Sequence, residues 1–198
     1  MDNRPTAHVL KAIGWLRKLN AKEAGGSQPH LFETERGSDM VKARNNPQRA
    51  RVLANELVGG LCLHWLGVRS PDPAVVELSV DLLAISPQAR FHNGTPLEAG
   101  LSFGSEYWQS DPQGTIETRL ICNKADVAGT LAYDTWVRQF DSRQYRVRAS
   151  TTDPGFYEFF PVDQGYSFGD PEWTSASLGA QHGRGGPRPA SPPELPSR

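Results

Sequence analysis

The sequence predicts an α+β fold, built as one ordinary domain or as two small lobes that share a cleft. Three observations predict it. "VLANELVGGLCLHW" carries Leu53, Leu57, Leu61 and Trp65 at i, i+4 spacing, which gives a long helix one apolar face. "YRVRAS" and "FYEFFPV" read as two strands joined by the turn "TTDPG". The chain has 198 residues, 37% of them hydrophobic, which is enough to bury one such core or two small ones.

Composition narrows the function. The formal net charge is -1, so no global field draws in nucleic acid and any anion site must be local. Cys62 and Cys122 lack metal-ligand spacing and read as reduced thiols of a cytosolic protein. His8, His30, His64, His92 and His182 likewise show no ligand spacing, and His64 reads as a structural residue on the long helix. Lys11 and Arg17 break the apolar patch near the N-terminus, which does not read as a signal peptide. No run approaches the roughly 20 apolar residues needed to span a bilayer. A soluble, cytoplasmic protein is expected.

The elements follow in order. Val9, Ile13 and Leu16 sit at helical spacing and predict a short amphipathic helix. Gly25-Gly26 breaks regular structure, and Leu31-Phe32 resumes an apolar, strand-like run. A short strand is expected around Met40 to Ala43. Asn46 is a good N-cap and Pro47 suits a first helical turn, so the long helix is expected to start there and to end at Gly67. Gly59 and Gly60 inside it cost about 1 kcal/mol each relative to Ala, so burial of its face must hold it, with the glycines allowing close packing. "PDPAVVELSVDLLA" predicts a strand and then a short helix. "FHNGTPLEAGLSFGSEYW" is turn-rich and gives no clear element. "DVAGTLAYDTWVRQF" predicts a helix with Val127, Leu131 and Trp136 partly inward. From about Ser175 the chain is rich in Gly, Pro and Ser with almost no apolar residues, and disorder is expected over 176–198.

The polar residues near these elements suggest phosphoryl transfer. Such a site needs cations and metal to neutralise phosphate charge, a carboxylate to orient the attacking hydroxyl, and backbone N–H groups of a Gly-rich turn to cradle phosphate. The chain supplies Gly25, Gly26, Ser27 and Gln28 in a turn, Lys42 on the next strand, and Glu56 on the following helix. Asp141 then precedes the hairpin and Asp163 follows it. Singly, each residue has an ordinary reading: a solvated lysine, a surface glutamate, two turn aspartates. Arg138, Arg143, Arg146 and Arg148 cluster around Asp141, either as a solvated face or as a hold on Asp141 or on a substrate phosphate.

Several segments together, "GGSQPHL", "VKARNNPQRARVLANEL", "LGVRSPDP", "GLSFGSEY", "NKADVAGTLAYDTWVRQFDSRQ" and "PVDQGYSFGDPEW", resemble the HipA-like kinase family of bacteria from about Gly25 to Trp173. The resemblance implies a two-lobed, protein-kinase-like fold with a first lobe over about 1–95 and a partial C-terminal lobe over about 96–175. Family kinases continue into a helical C-terminal lobe, which is incomplete here. The resemblance also implies ATP and Mg²⁺ as cofactors and a protein Ser or Thr hydroxyl as one acceptor. It matches Lys42 to the nucleotide-contacting lysine and Glu56 to its helix partner. Asp141 matches the catalytic aspartate and Asp163 the metal-holding aspartate. Gln144 stands in for the usual metal-binding asparagine, although its spacing departs from "D-x-x-x-x-N". The rival readings are a pseudokinase or nucleotide-binding interaction module, a non-functional remnant, and a metal-dependent hydrolase using Asp141 and Asp163, which would leave Lys42 without a task.

Overall fold

The computed structural model describes residues 6–19, 25–109, 117–139, 141–169 and 173–176. Most of the tail expected to be disordered, from residue 177 on, lies outside the described residues. Among them the chain is α+β: five strands close a mixed β-barrel, two further strands form a hairpin, and three α-helices pack around them. No helix among the described residues is long and apolar enough to cross a membrane.

The barrel strands are β1 (His8–Lys18), β2 (His30–Thr34), β3 (Gly37–Lys42), β4 (Pro73–Leu78) and β5 (Gly100–Glu106), in the order β1-β2-β3-β5-β4. β1 closes the barrel by pairing parallel to β4, and the remaining pairs are antiparallel. Phe32, Val41, Ala74, Val76 and Leu78 are inward and fully buried, and Leu82, Ala89, Phe91 and Leu97 cover one end of this core.

β1 corrects the helix expected over Val9 to Leu16. Val9, Ile13 and Leu16 are all exposed, while Ala12 is buried and Leu10 and Trp15 pack partly on the core. Irregularities in its pairing with β2 between Ala12 and Gly14 and between Trp15 and Arg17 break the strand's two-residue alternation. The outward residues happened to fall at helical spacing. β5, in the turn-rich stretch that gave no clear element, sits between β3 and β4 and lies beyond residue 95, where the first lobe was expected to end.

α1 (Ala50–Trp65) follows β3. It starts later than expected, because Asn46 does not cap it. Asn46 instead closes a tight turn: its Nδ2 donates to Ala43 O at 3.1 Å and Arg49 O at 3.1 Å, and its Oδ1 accepts from Gln48 N at 2.9 Å. Its buried face is also not the leucine stripe. Val52, Asn55, Glu56, Gly59, Gly60 and Leu63 are buried, Leu53, Leu57 and Leu61 flank them half-buried, and Trp65 is exposed.

After α1 come β4, α2 (Val80–Ala84) and β5, then α3 (Lys124–Val137), β6 (Gln144–Ala149) and β7 (Tyr157–Val162). The inward face of α3 is Asp126, Thr130, Tyr133, Asp134 and Val137, whereas Leu131 and Trp136, expected inward, are exposed. A second cluster of Leu63, Val68, Tyr133 and Val137 joins α1 to α3. β6 and β7 pair antiparallel, with Gln144 opposite Val162. That register sets Gln144 and Asp163 at the same end of the hairpin.

Candidate functional site

The site forms where three segments distant in sequence meet. β3 ends on Lys42, whose side chain turns inward and is buried. α1 presents Glu56 from its buried face. β7 ends at Val162, and the next residue, Asp163, takes a left-handed φ of 62°, an uncommon conformation that Asp tolerates better than most residues. That turn brings its carboxylate back to Lys42. Lys42 Nζ donates to Glu56 Oε1 and, at 3.0 Å, to Asp163 Oδ1.

Electrostatics follow from one ammonium shared by two carboxylates. Burial alone would lower the Lys42 pKa, but Asp163 and Glu56 reverse this and raise it well above the ordinary lysine range, so the ammonium stays charged. Burial opposes ionisation of Asp163, but Lys42, Glu56 and the backbone N–H of Gly165 hold its carboxyl down to about 2. Burial pushes Glu56 up to about 7 against the pull of Lys42, because the neighbouring Asp163 already carries the compensating charge.

The loop after Asp163 is fixed to α1 over several residues. Glu56 Oε2 accepts from Gln164 N at 2.8 Å, and Asn55 Nδ2 donates to Gly165 O at 2.9 Å and Ser167 O at 3.1 Å. The helix comes this close because Gly59 and Gly165 lack side chains. A Cβ on Gly59 would lie 2.6 Å from Gln164 Cβ, and one on Gly165 would lie 2.7 Å from Val52 Cγ1 and 3.1 Å from Glu56 Oε1.

Arg143 ties the start of the hairpin to the same loop. Its guanidinium pairs with buried Asp134, with Nε 3.1 Å from Oδ2, and donates to Val162 O at 3.0 Å and Gln164 Oε1 at 2.8 Å. Of the arginine cluster near Asp141, Arg143 thus supports the loop that carries Asp163. The sequence did not single out Asp134, Asn55 or Gln164, since polar residues on helices and in turns give no signal of their own.

Lys42, Glu56 and Asp163 face an open cleft of about 700 Å³, counted out to its solvent-exposed mouth. The other walls are largely apolar: Leu19, Pro29, Met40, Phe103, Trp108 and Val162. Gly25, Ser27, Gln144 and Arg146 also line it. Of the sequence-predicted residues, Gly26 packs against Gln48, and Gln28 Oε1 accepts from His92 N at 2.7 Å, beside the barrel end. Asp141 does not line the cleft. It is exposed, and its Oδ1 accepts only a local bond from Ser142 N at 2.7 Å among the described residues.

The cleft sets one cation and a few polar groups beside apolar walls. Its apolar walls and few convergent polar groups are the usual make-up of small-molecule sites. Lys42 supplies a fixed positive charge for phosphate, and the Asp163 carboxylate and Gln144 amide supply the hard oxygen donors that Mg²⁺ takes. These residues fit a magnesium nucleotide. Among the described residues no group of three or more His, Cys, Asp or Glu is arranged to hold a metal, so phosphate oxygens and water would have to complete such a coordination shell. No family model, curated protein or solved structure matches the chain.

Proposed function

We propose that this chain is a nucleotide-binding domain of the HipA-like kinase type, with a two-lobed kinase-like architecture, that transfers phosphate from ATP to a hydroxyl. One observation carries the reading. Lys42, Glu56 and Asp163, which the sequence offers as an ordered set, meet as one ion triad at the wall of an apolar cleft, with Lys42 and Glu56 buried and Asp163 partly exposed. A metal-dependent hydrolase built on two aspartates would leave the buried Lys42 without a task.

Each residue has a task in this reading. Glu56 holds Lys42 extended, so the ammonium reaches the phosphate end of the cleft without reorganising. Gly25 and Ser27 cover that end from the barrel side. Asp163 and Gln144 would hold Mg²⁺, which supplies charge neutralisation on the phosphates. The apolar walls exclude water from the base end. Asp141 would accept or orient the acceptor hydroxyl, on a protein Ser or Thr or another alcohol.

A second reading, a pseudokinase that binds nucleotide without turnover, is favoured by the exposed Asp141 outside the cleft lining. The test uses labelled ATP with the wild type, Asp163→Asn and Asp141→Asn. Asp163→Asn should remove the Mg²⁺-dependent part of ATP binding. Asp141→Asn should retain binding and lose transfer. Wild-type protein that retains ATP but phosphorylates neither itself nor a cell extract is the pseudokinase.

A further inference from the structure

The cleft has two distinguishable ends. One holds Lys42, Glu56 and Asp163, with Gln144 opposite Val162 on the floor strand. The roof runs away from this end along paired strands, from Lys42 opposite Phe103 to Met40 opposite Ser105, and on to Tyr107 and Trp108. The floor runs the same way along β6. Arg146 lies two residues beyond Gln144, opposite Phe160, so it shares Gln144's face roughly 7 Å farther from Asp163. Two residues farther still, the Arg148 guanidinium stands 5.2 Å from the Trp108 ring centroid and 4.8 Å from that of Phe160, which closes this end. Arg146 is half-buried and lines the cleft between the two ends.

Resting on the proposed nucleotide site, we infer that Arg146 holds the ligand's base: its guanidinium lies beneath the nucleobase, which is covered above by Met40 and Phe103 and bounded at its far end by Trp108, packed 4.5 Å from the Phe160 ring. The argument is one of placement and chemistry. Phosphates gather at Lys42, so the base extends toward the apolar roof, and the floor beneath that roof is arginine where an apolar residue would complete a greasy slot. A guanidinium is planar and weakly hydrated, and it stacks on aromatic faces as an ammonium does not. Its charge acts on the ring and not on the phosphates. Arg146 should therefore contribute to binding of nucleotides and contribute nothing to binding of the phosphate chain alone.

The experiment compares ATP with inorganic tripolyphosphate, by calorimetry, on the full chain. The proteins are wild type, Arg146→Leu, Arg146→Met, Arg146→Lys and Lys42→Ala, each shown by its melting profile to be folded at the temperature of the titration. Arg146→Leu and Arg146→Met should bind ATP about ten-fold more weakly and tripolyphosphate as well as wild type does. Arg146→Lys should not restore ATP binding fully, because the plane is lost. Lys42→Ala should weaken both ligands. ATP binding unchanged in Arg146→Leu, or tripolyphosphate binding weakened as much as ATP, would overturn the base contact while leaving the nucleotide site standing. Full rescue by Arg146→Lys would overturn the stacking. A wild type that binds tripolyphosphate but not ATP, or neither, would overturn the nucleotide site itself, and the base contact with it.

Discussion

Asp163 Oδ1 stands 3.0 Å from Lys42 Nζ, across 121 residues of chain. Glu56 takes the other side of the same ammonium. The contact joins the barrel to the hairpin, and the α1 helix clamps both.

Removing the shared cation should therefore cost more than losing its contacts. Lys42→Met would leave the buried Glu56 and the partly exposed Asp163 without their cation; breaking a fully buried pair typically costs about 3–5 kcal/mol, which is the upper bound here. Adding Glu56→Gln to Lys42→Met should recover part of that loss, since only Asp163 then needs a partner. Urea unfolding of the two single variants and the double variant checks this. Additive losses would mean that the three groups do not act as a unit.

Gly59 should resist the replacement that normally helps a helix. Ala is about 1 kcal/mol better than Gly in a helix interior. Here the added Cβ would meet Gln164 Cβ and the Tyr133 hydroxyl, both 2.6 Å away, so the loop must move off the helix. Gly59→Ala should destabilise by roughly 1–3 kcal/mol, the usual cost of overpacking. Thermal denaturation that shows a gain in stability would contradict the packing of α1 on the Asp163 loop.

His30 should make the barrel sensitive to acid. Trp15 Nε1 donates to His30 Nδ1 at 3.1 Å, which puts the imidazole proton on Nε2, a buried atom with no partner among the described residues. Protonating Nδ1 would break the Trp15 bond and bury a charge. Burial, with Lys18 and His92 adding positive charge, lowers the His30 pKa from 6.5 to about 4. Between these values the unfolded chain binds more protons than the folded one, so stability rises with pH across this window. The contribution is complete above about 6.5 and is lost as pH falls toward 4, over a range worth a few kcal/mol. Melting temperatures measured from pH 4 to 7 should show this slope, and His30→Gln should flatten it. An unchanged slope in His30→Gln would assign the acid sensitivity to other groups.

What the sequence made legible, and what it hid, divides along physical lines. β6 and β7 were visible because their turn and apolar runs are local signals. Lys42, Glu56 and Asp163 were legible as an ordered set, and each has a bland reading alone. β1 carries a helix-like pattern because its pairing irregularities shift the inward face midway, so Val9, Ile13 and Leu16 point to solvent at helical spacing. The α1 face was misplaced because burial there is bought with hydrogen-bonded polar groups and glycines. Asn55 bonds the loop and accepts from Trp173 Nε1 at 2.8 Å, contacts that only the fold brings together. Asp141 stands out in the sequence for its place before the hairpin, and that place leaves it at the surface.

The most direct measurement is calorimetric titration of the full chain with ATP, with and without Mg²⁺, on the wild type and Lys42→Ala. The account predicts binding that tightens with Mg²⁺ and that weakens by roughly 1–3 kcal/mol in Lys42→Ala, the scale of a charge-assisted contact to phosphate. No ATP binding by the folded wild type in either condition would contradict it. The ion triad of Lys42, Glu56 and Asp163 would then be a structural clamp between barrel and hairpin.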